Sequence, residues 1–245
     1  MTNGFFTTVF SQPLYNGLVF LMAFIPGADA GVAIVIFTVI VRLALYPLSK
    51  KSIVTQMKLK SVEQDVERIK STVKDKAKQA TQIMAFYREK GLNPLSGFAL
   101  IVVQIPIIFA LYYIFLKSGL PTINENLLYG FISAPQHINM NFLGLFDLAE
   151  KSYLLAAVCA ISQFFQAKLA LPPAKPKQAN ESFKDNLARS MNIQMKYFFP
   201  VMIFFIVYNL SSIIAVYWIT NNLFAIAQEW GVRKKFAERS PSLNP

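Results

Sequence analysis

The sequence predicts an all-α integral membrane protein with five transmembrane helices, N-terminus outside and C-terminus inside, plus an outer interfacial helix and a cytoplasmic helical hairpin. Three observations carry that expectation. Of 245 residues, 54% are hydrophobic and 22 are Phe, with a mean hydropathy of +0.41, an apolar share above that of a soluble domain. Apolar runs near the length of a bilayer crossing, about twenty residues, recur at 30–48, 98–116 and 152–167, and a longer one extends from Tyr197 to Gly231. The basic residues gather between those runs. Of 24 Lys and Arg, residues 1–29 hold none, 49–97 eleven, 117–151 two, 168–196 six and 233–245 four, which leaves Arg42 alone inside a run.

Basic loops stay cytoplasmic. Both flanks of 197–231 are basic, so the chain must cross an even number of times between them. Asn209, Ser211 and Ser212 in "NLSS" supply the polar break that divides those 35 residues into two short spans.

Each element then follows in order. Residues 1–28 form the outer amphipathic or interfacial helix, because its apolar core from Leu14 to Ile25 is only twelve residues, short for a span and suited to the membrane surface. "ADA" at 28–30 resembles a small-x-small cleavage site, but no Lys or Arg precedes the apolar core as a signal peptide requires. An uncleaved helix is expected. Residues 29–49 are the first span, with Arg42 in nineteen residues, Ala30 to Leu48, that hold no other charge.

Residues 50–97 are the cytoplasmic basic hairpin. Val62, Val66, Ile69 and Val73 follow a 4-3-4 spacing, and Val73, Ala77, Ala80, Met84 and Tyr87 continue at 4-3-4-3, with "KSTVKD" as the turn between them. Two narrow apolar seams would face each other in an antiparallel pair. Eleven basic against five acidic residues over 49–97 fit either a solvated topology-setting loop or a docking element, and the length of the seam favours docking. Residues 98–116 are the second span, where Pro106 marks a kink that neighbouring helices must compensate. An outer loop (117–151), a third span (152–167), a cytoplasmic loop (168–196), the paired short spans (197–231) and a short basic tail (232–245) complete the chain.

A guanidinium inside a span costs about 2.5–3.5 kcal/mol on insertion scales, so it turns toward a partner or a wet cavity. The spans contain no Asp or Glu except Glu229 at the cytoplasmic end of the last, which leaves Arg42 without an evident counter-ion. Gln104, Gln163, Gln166, Asn221, Asn222 and Gln228 are uncharged polar residues in or near the spans. Singly, each reads as interhelical hydrogen-bonding glue; with Arg42, several could line one polar cavity. One cysteine, Cys159, and one histidine, His137, leave no disulfide framework, no two-cysteine metal site and no usual nucleophile-base pair. No P-loop appears. No enzyme chemistry, metal or cofactor is expected. The net charge of +11 suits anionic lipid, nucleic acid or acidic peptides.

The chain resembles the YidC/Oxa/Alb family of membrane-protein insertases from about Phe6 to Lys235. The residues that carry the resemblance are "SQPLYNGLVFLMAFIPGADAGVAIVIFTVIVRLALYPLSKKS", "YREKGLNPLSGFALIVVQIPIIFALYYIF", "FLGLFDL", "ISQFFQAKL" and "VYWITNNLFAIAQEW", in that order. The resemblance implies a five-span core without an aqueous pore, and a hydrophilic groove open to the cytoplasm and the lipid but closed toward the outside. Arg42 matches the family's groove arginine and Trp218 an aromatic near the groove wall. Gln104, Gln163, Gln166, Asn221 and Asn222 are expected beside them as substrate-binding residues, and Val62, Val66, Ile69, Val73, Ala77, Met84 and Tyr87 in a docking hairpin. The implied function is a membrane protein insertase and chaperone. Its expected partners are nascent membrane proteins and the lipid bilayer, with the ribosome, signal-recognition components and a Sec-type translocon as further candidates and no direct nucleic-acid readout. The expected location is the bacterial cytoplasmic (inner) membrane, as a multi-pass protein.

The alternative is a small secondary transporter with Arg42 as ligand for an anionic substrate. It would require repeated halves with broken helices, and no internal repeat is visible in the sequence. A structural subunit or lipid scramblase would keep the groove without needing the basic hairpin.

Overall fold

The apolar runs fold as helices in the computed structural model, which describes residues 4–96, 105–110, 113–114, 122–171 and 183–239. Two compact units result, residues 1–43 with 106–226 and residues 44–105 with 227–245.

In the first unit a π-helical turn, Thr7–Ser11, leads without a break into α1 (Gln12–Phe24), and Pro13, which has no N–H to give to the ladder, stands directly after that turn. The apolar side of α1 is fully covered at Tyr15, Leu18, Val19 and Met22. Its polar residues tie down the segment that follows residue 122. Asn16 donates to the Leu127 carbonyl (2.8 Å) and accepts from the Tyr129 amide (2.7 Å), and the Tyr15 hydroxyl accepts from the Asn124 amide (2.7 Å).

Helix α2 (Ala30–Ala44) starts at Asp29, whose carboxylate accepts from the Val32 amide at 3.0 Å and, through its other oxygen, from the Leu143 amide at 3.0 Å. A negative group at a helix N-terminus satisfies orphan amides and complements the dipole. The second bond draws in a two-strand hairpin, β1 (Asn141–Phe142) and β2 (Phe146–Asp147). Gly31 makes the approach possible, since a Cβ there would run into the Phe142 ring.

Helix α6 (Tyr153–Ala170) is capped by the Ser152 hydroxyl, which accepts from the Leu155 amide at 3.3 Å. Helix α7 (Phe183–Ile193) runs through a π turn, Gln194–Phe198, into α8 (Phe199–Asn209). The chain leaves helix at Leu210 and enters α9 (Ser212–Arg239). Ser211 and Ser212 hold that corner by donating to the carbonyls of Leu148 (2.8 Å) and Glu150 (2.6 Å). Every residue from Ser212 to Tyr217 is buried, so α9 enters surrounded on all faces, as an element central to its unit must be. Ile36, Ile40, Leu43, Phe165, Val201 and Phe205 are exposed on the same helical bundle. Large apolar side chains on the surface together with buried polar ones invert the soluble pattern.

The second unit contains α3 (Tyr46–Ser61), α4 (Glu63–Thr72) and α5 (Lys76–Glu89). Asp75 caps α5 by accepting from the amides of Ala77 (2.8 Å) and Lys78 (3.3 Å). Gln79 donates to the carbonyls of Lys70 (2.8 Å) and Val73 (3.0 Å) and closes the turn. Ser52 donates to the Ser96 carbonyl at 3.1 Å, and Gln228 to that of Tyr46 at 3.4 Å.

Several expectations need correction. Val62 lies at the break between α3 and α4 rather than inside a seam. Ala77 and Met84 are exposed, and the covered side of α5 runs instead through Gln79, with Ile83, Phe86 and Tyr87 half-buried. The turn sets this register: burying Gln79 to satisfy two carbonyls rotates Ala77 and Met84 outward. Within the segment 168–196 helix α7 begins at Phe183, and within 232–245 helix α9 continues to Arg239, neither of which bears on the expected side of the membrane.

Among the described residues, two helical segments are long and apolar enough to cross a membrane, Tyr153–Ala170 and Arg189–Asn209, or three if the pair Ala30–Ala44 and Tyr46–Ser61 is one span. The expected second span falls largely outside the described residues, although 105–110 are helical and Ile107, Ala110 and Ile114 are buried.

Candidate functional site

Arg42 stands in the last turn of α2, where the unpaired carbonyls of a helix end favour a cation. One turn earlier the buried Thr38 returns its hydroxyl proton to the Ile34 carbonyl at 2.7 Å and makes no demand on the arginine. The half-buried guanidinium donates from Nε to Asn221 Oδ1 at 2.6 Å. That partner is uncharged. Among the described residues no carboxylate pairs with Arg42, so none of them neutralises its positive charge.

Helix α9 presents Trp218, Asn221 and Asn222 at i, i+3 and i+4, a spacing that puts them on adjoining strips of one side. Trp218 Nε1 donates to Gln163 Oε1 of α6 at 2.8 Å, and Gln163 Nε2 donates onward to Gln166 Oε1 at 3.3 Å. Gln163 is buried, while Trp218 and Gln166 are half-buried. The indole ring thereby bridges α9 to the polar stripe of α6.

Asn222 does something different. Only 2% exposed, it donates from Nδ2 to Ser162 Oγ at 3.0 Å, and Ser162 donates in turn to the Cys159 carbonyl at 2.7 Å. This chain lies inside the α6–α9 interface, so Asn222 acts as interhelical glue rather than as part of an accessible lining. The structure therefore brings together Arg42 with Asn221, and Trp218 with Gln163 and Gln166, and sets Asn222 apart. Gln104 lies outside the described residues. Sequence reasoning missed Ser162, which adjoins Gln163 in "ISQFF" and faces the buried side. Its signal was there, since a small hydroxyl residue one position from a span glutamine is a ready interhelical partner.

Among the described residues no cluster of His, Cys, Asp and Glu could hold a metal ion, and the polar groups of this site are amides, an indole and a guanidinium. Such groups donate and accept hydrogen bonds. The set holds no nucleophile with an adjacent base.

The sequence pattern of the family described as "60Kd inner membrane protein" matches residues 20–239. The chain belongs to this family. It is similar to the membrane protein insertase YidC of Rickettsia rickettsii (strain Sheila Smith), 29% identical over 235 residues that cover 92% of this chain and 39% of the relative. It is also similar to the membrane protein insertase YidC of Francisella tularensis subsp. novicida, 28% identical over 207 residues that cover 84% of this chain and 33% of the relative. The chain thus spans about two fifths of the length of the first of these relatives and a third of the second. Both are named as insertases rather than for a bond-making reaction.

Proposed function

We propose that this chain is a membrane protein insertase whose Arg42 receives polar and acidic substrate segments in a hydrophilic groove. The observation that carries the reading is a half-buried guanidinium bonded to an amide and to no carboxylate among the described residues, inside a helical bundle with an apolar exterior. A polar segment flanking a substrate helix must otherwise cross about 30 Å of hydrocarbon. A groove open to the cytoplasm and the lipid shortens that path, and Arg42 attracts the acidic side chains that travel along it. The apolar part of the substrate then partitions into lipid by its own burial. If the membrane is positive outside, each acidic charge delivered there gains about 2.3 kcal/mol per 100 mV.

In this reading the chain crosses the bacterial inner membrane five times, N-terminus out and C-terminus in. The segment 117–151 closes the outer end, a role supported by its bonds to α1, Asp29 and the start of α9. The hairpin 50–97 docks cytoplasmic partners, for which the ribosome, signal-recognition components and a Sec-type translocon are the candidates. Cysteines placed at Asn126 and Ser71 separate this topology from others. The first should label from outside and the second only in opened membranes, and a cytoplasmic Asn126 overturns it.

The function itself is tested with a substrate whose translocated tail is either acidic or neutralised. Arg42→Ala and Arg42→Glu should fail on the acidic tail at unchanged protein abundance, while Arg42→Lys keeps much of the activity because the charge persists. Equal loss on both tails, or a fall in abundance that explains the defect, would assign the arginine a structural role.

A further inference from the structure

Lys151 stands where two general effects oppose a cation. It precedes the Ser152 cap of α6, so it lies at the positive end of that helix dipole. It is also the sole Lys or Arg between residues 122 and 152, a segment whose low basic content is what an outer location requires. Among the described residues no carboxylate pairs with it, that of the adjacent Glu150 included. What its ammonium meets is aromatic. Nζ lies 5.9 Å from the centre of the Tyr208 ring, close enough for a cation–π contact. Tyr208 stacks on Tyr153 with ring centroids 4.1 Å apart and on Phe204 at 6.4 Å, and Phe204 meets Phe205 edge-on at 5.3 Å. Tyr153 is 66% exposed, which leaves its hydroxyl within reach of a ligand.

The corner beside this cluster sets its level. Ser211 and Ser212 donate to the carbonyls of Leu148 and Glu150, so the start of α6 and the end of α8 come to the same end of the bundle. Tyrosines at that position mark the headgroup level of a bilayer. From there α8 runs inward along an open concavity of about 600 Å³, which Asn209 borders at the outer end and Phe205, Met202, Val201 and Phe198 line in turn. The eleven residues from Phe198 to Asn209 rise about 16 Å, close to the depth of one leaflet in about 30 Å of hydrocarbon.

We propose that Lys151, Tyr153 and Tyr208, with the concavity on α8 below them, form a site for one anionic phospholipid of the outer leaflet. The Lys151 ammonium and the Tyr153 hydroxyl donate to the phosphate, and one acyl chain lies along Val201, Met202 and Phe205. A substrate helix or a second copy of the chain could fill the apolar concavity but would leave the Lys151 charge without a counter-ion. A phospholipid satisfies both at the spacing found. The site depends on the membrane reading of the bundle and not on the insertase reading, which the Arg42 variants test separately.

The sequence has 2 tryptophans, so Trp218→Phe with Trp230→Phe clears the background and Phe205→Trp then reports from the concavity. In phosphatidylcholine nanodiscs, equal fractions of phosphatidylglycerol or phosphatidylcholine with brominated acyl chains serve as quenchers. Phosphatidylglycerol should be preferred about fivefold, the worth of one basic side chain at an anionic surface. Lys151→Gln should bring that ratio to about 1, Lys151→Arg should keep it, and Tyr153→Phe, which retains the stacked ring and loses the hydroxyl, should lower it about twofold. A reporter at Phe165→Trp, on the exposed side of α6, should show a ratio that Lys151→Gln does not move.

A second measurement keeps both native tryptophans. Released from nanodiscs of equal phosphatidylglycerol and phosphatidylcholine into a native mass spectrometer, Lys151→Gln should carry one phosphatidylglycerol fewer than the wild type. A ratio near 1 at residue 205 with Lys151 in place, or a ratio and a lipid count that Lys151→Gln leaves unchanged, overturns the proposal. Absence of quenching by either lipid assigns the concavity to a protein occupant, a substrate helix or a second copy, and overturns it as well.

Discussion

Met84 and Phe205 leave nearly the same fraction of their surface uncovered, 56% and 57%, but their surroundings differ in kind. Phe205 stands among Phe198, Val201, Met202 and Ile206, which line one open apolar concavity on α8. Met84 stands on α5 among exposed Gln82, Arg88, Glu89 and Lys90. The first unit buries Gln163 and Asn222, half-buries Arg42 and exposes Phe165, Phe198 and Phe205, whereas the second buries Val66 and exposes Arg88, Glu89 and Lys90. The same exposure therefore reads as contact with hydrocarbon at Phe205 and as contact with water at Met84.

The strongest way to break this comparison is to place a lysine on the apolar side. Phe205→Lys should destabilise by about 2.5–3.5 kcal/mol, the cost of a cation in the middle of a bilayer. Lower abundance in membranes and a reduced thermal midpoint in nanodiscs would report it. A variant that accumulates and melts like the wild type would show that α8 does not face hydrocarbon.

A smaller effect sharpens the other half. Gln79 donates to two carbonyls at the hairpin turn, and Gln79→Ala leaves both without that donor. A loss of about 1–3 kcal/mol is expected, moderated because water can reach the turn. It should stay local, so proteolytic cleavage near Val73–Asp75 should rise while the melting of the first unit holds. A matching fall in that melting would show that the two units unfold together.

The sequence made legible those features that depend on one-dimensional counts. Basic residues clustered between apolar runs gave the helical membrane class, and "NLSS" gave the break before α9, because a charge or a polar pair in a long apolar run changes transfer energy wherever it falls. Features that depend on which neighbour a side chain meets were not legible. Asn221 and Asn222 are adjacent in sequence and equally polar, but one bonds Arg42 and the other Ser162; about 100° of helix rotation separates them. Apolar spacing alone placed Ala77 and Met84 in the hairpin seam. The structure puts Gln79 there, because backbone carbonyls at a turn demand a donor more strongly than a small apolar side chain demands cover. Arg42 was identifiable as a charge without a counter-ion, but the amide holding its Nε was only one of several candidates.

The smallest expected effect is also the most direct control on the comparison. Met84→Lys matches Phe205→Lys in the residue introduced and in the starting exposure, so any difference in cost measures the solvent rather than the substitution. On a helix in water, lysine has a helix propensity close to that of methionine, and the main penalty is like charge with Arg88 at i+4, a few tenths of a kcal/mol. The expected change in stability is within about 0.5 kcal/mol, as for surface positions generally. A cost near that of Phe205→Lys would place α5 against hydrocarbon or a tight protein contact and remove the distinction between the two units. If stability holds while insertion of every substrate slows, the exposed side of α5 is the docking face that the hairpin proposal requires. Unchanged stability with unchanged insertion would leave Met84 outside any such face and move the search to Val66 and Ile69 on α4.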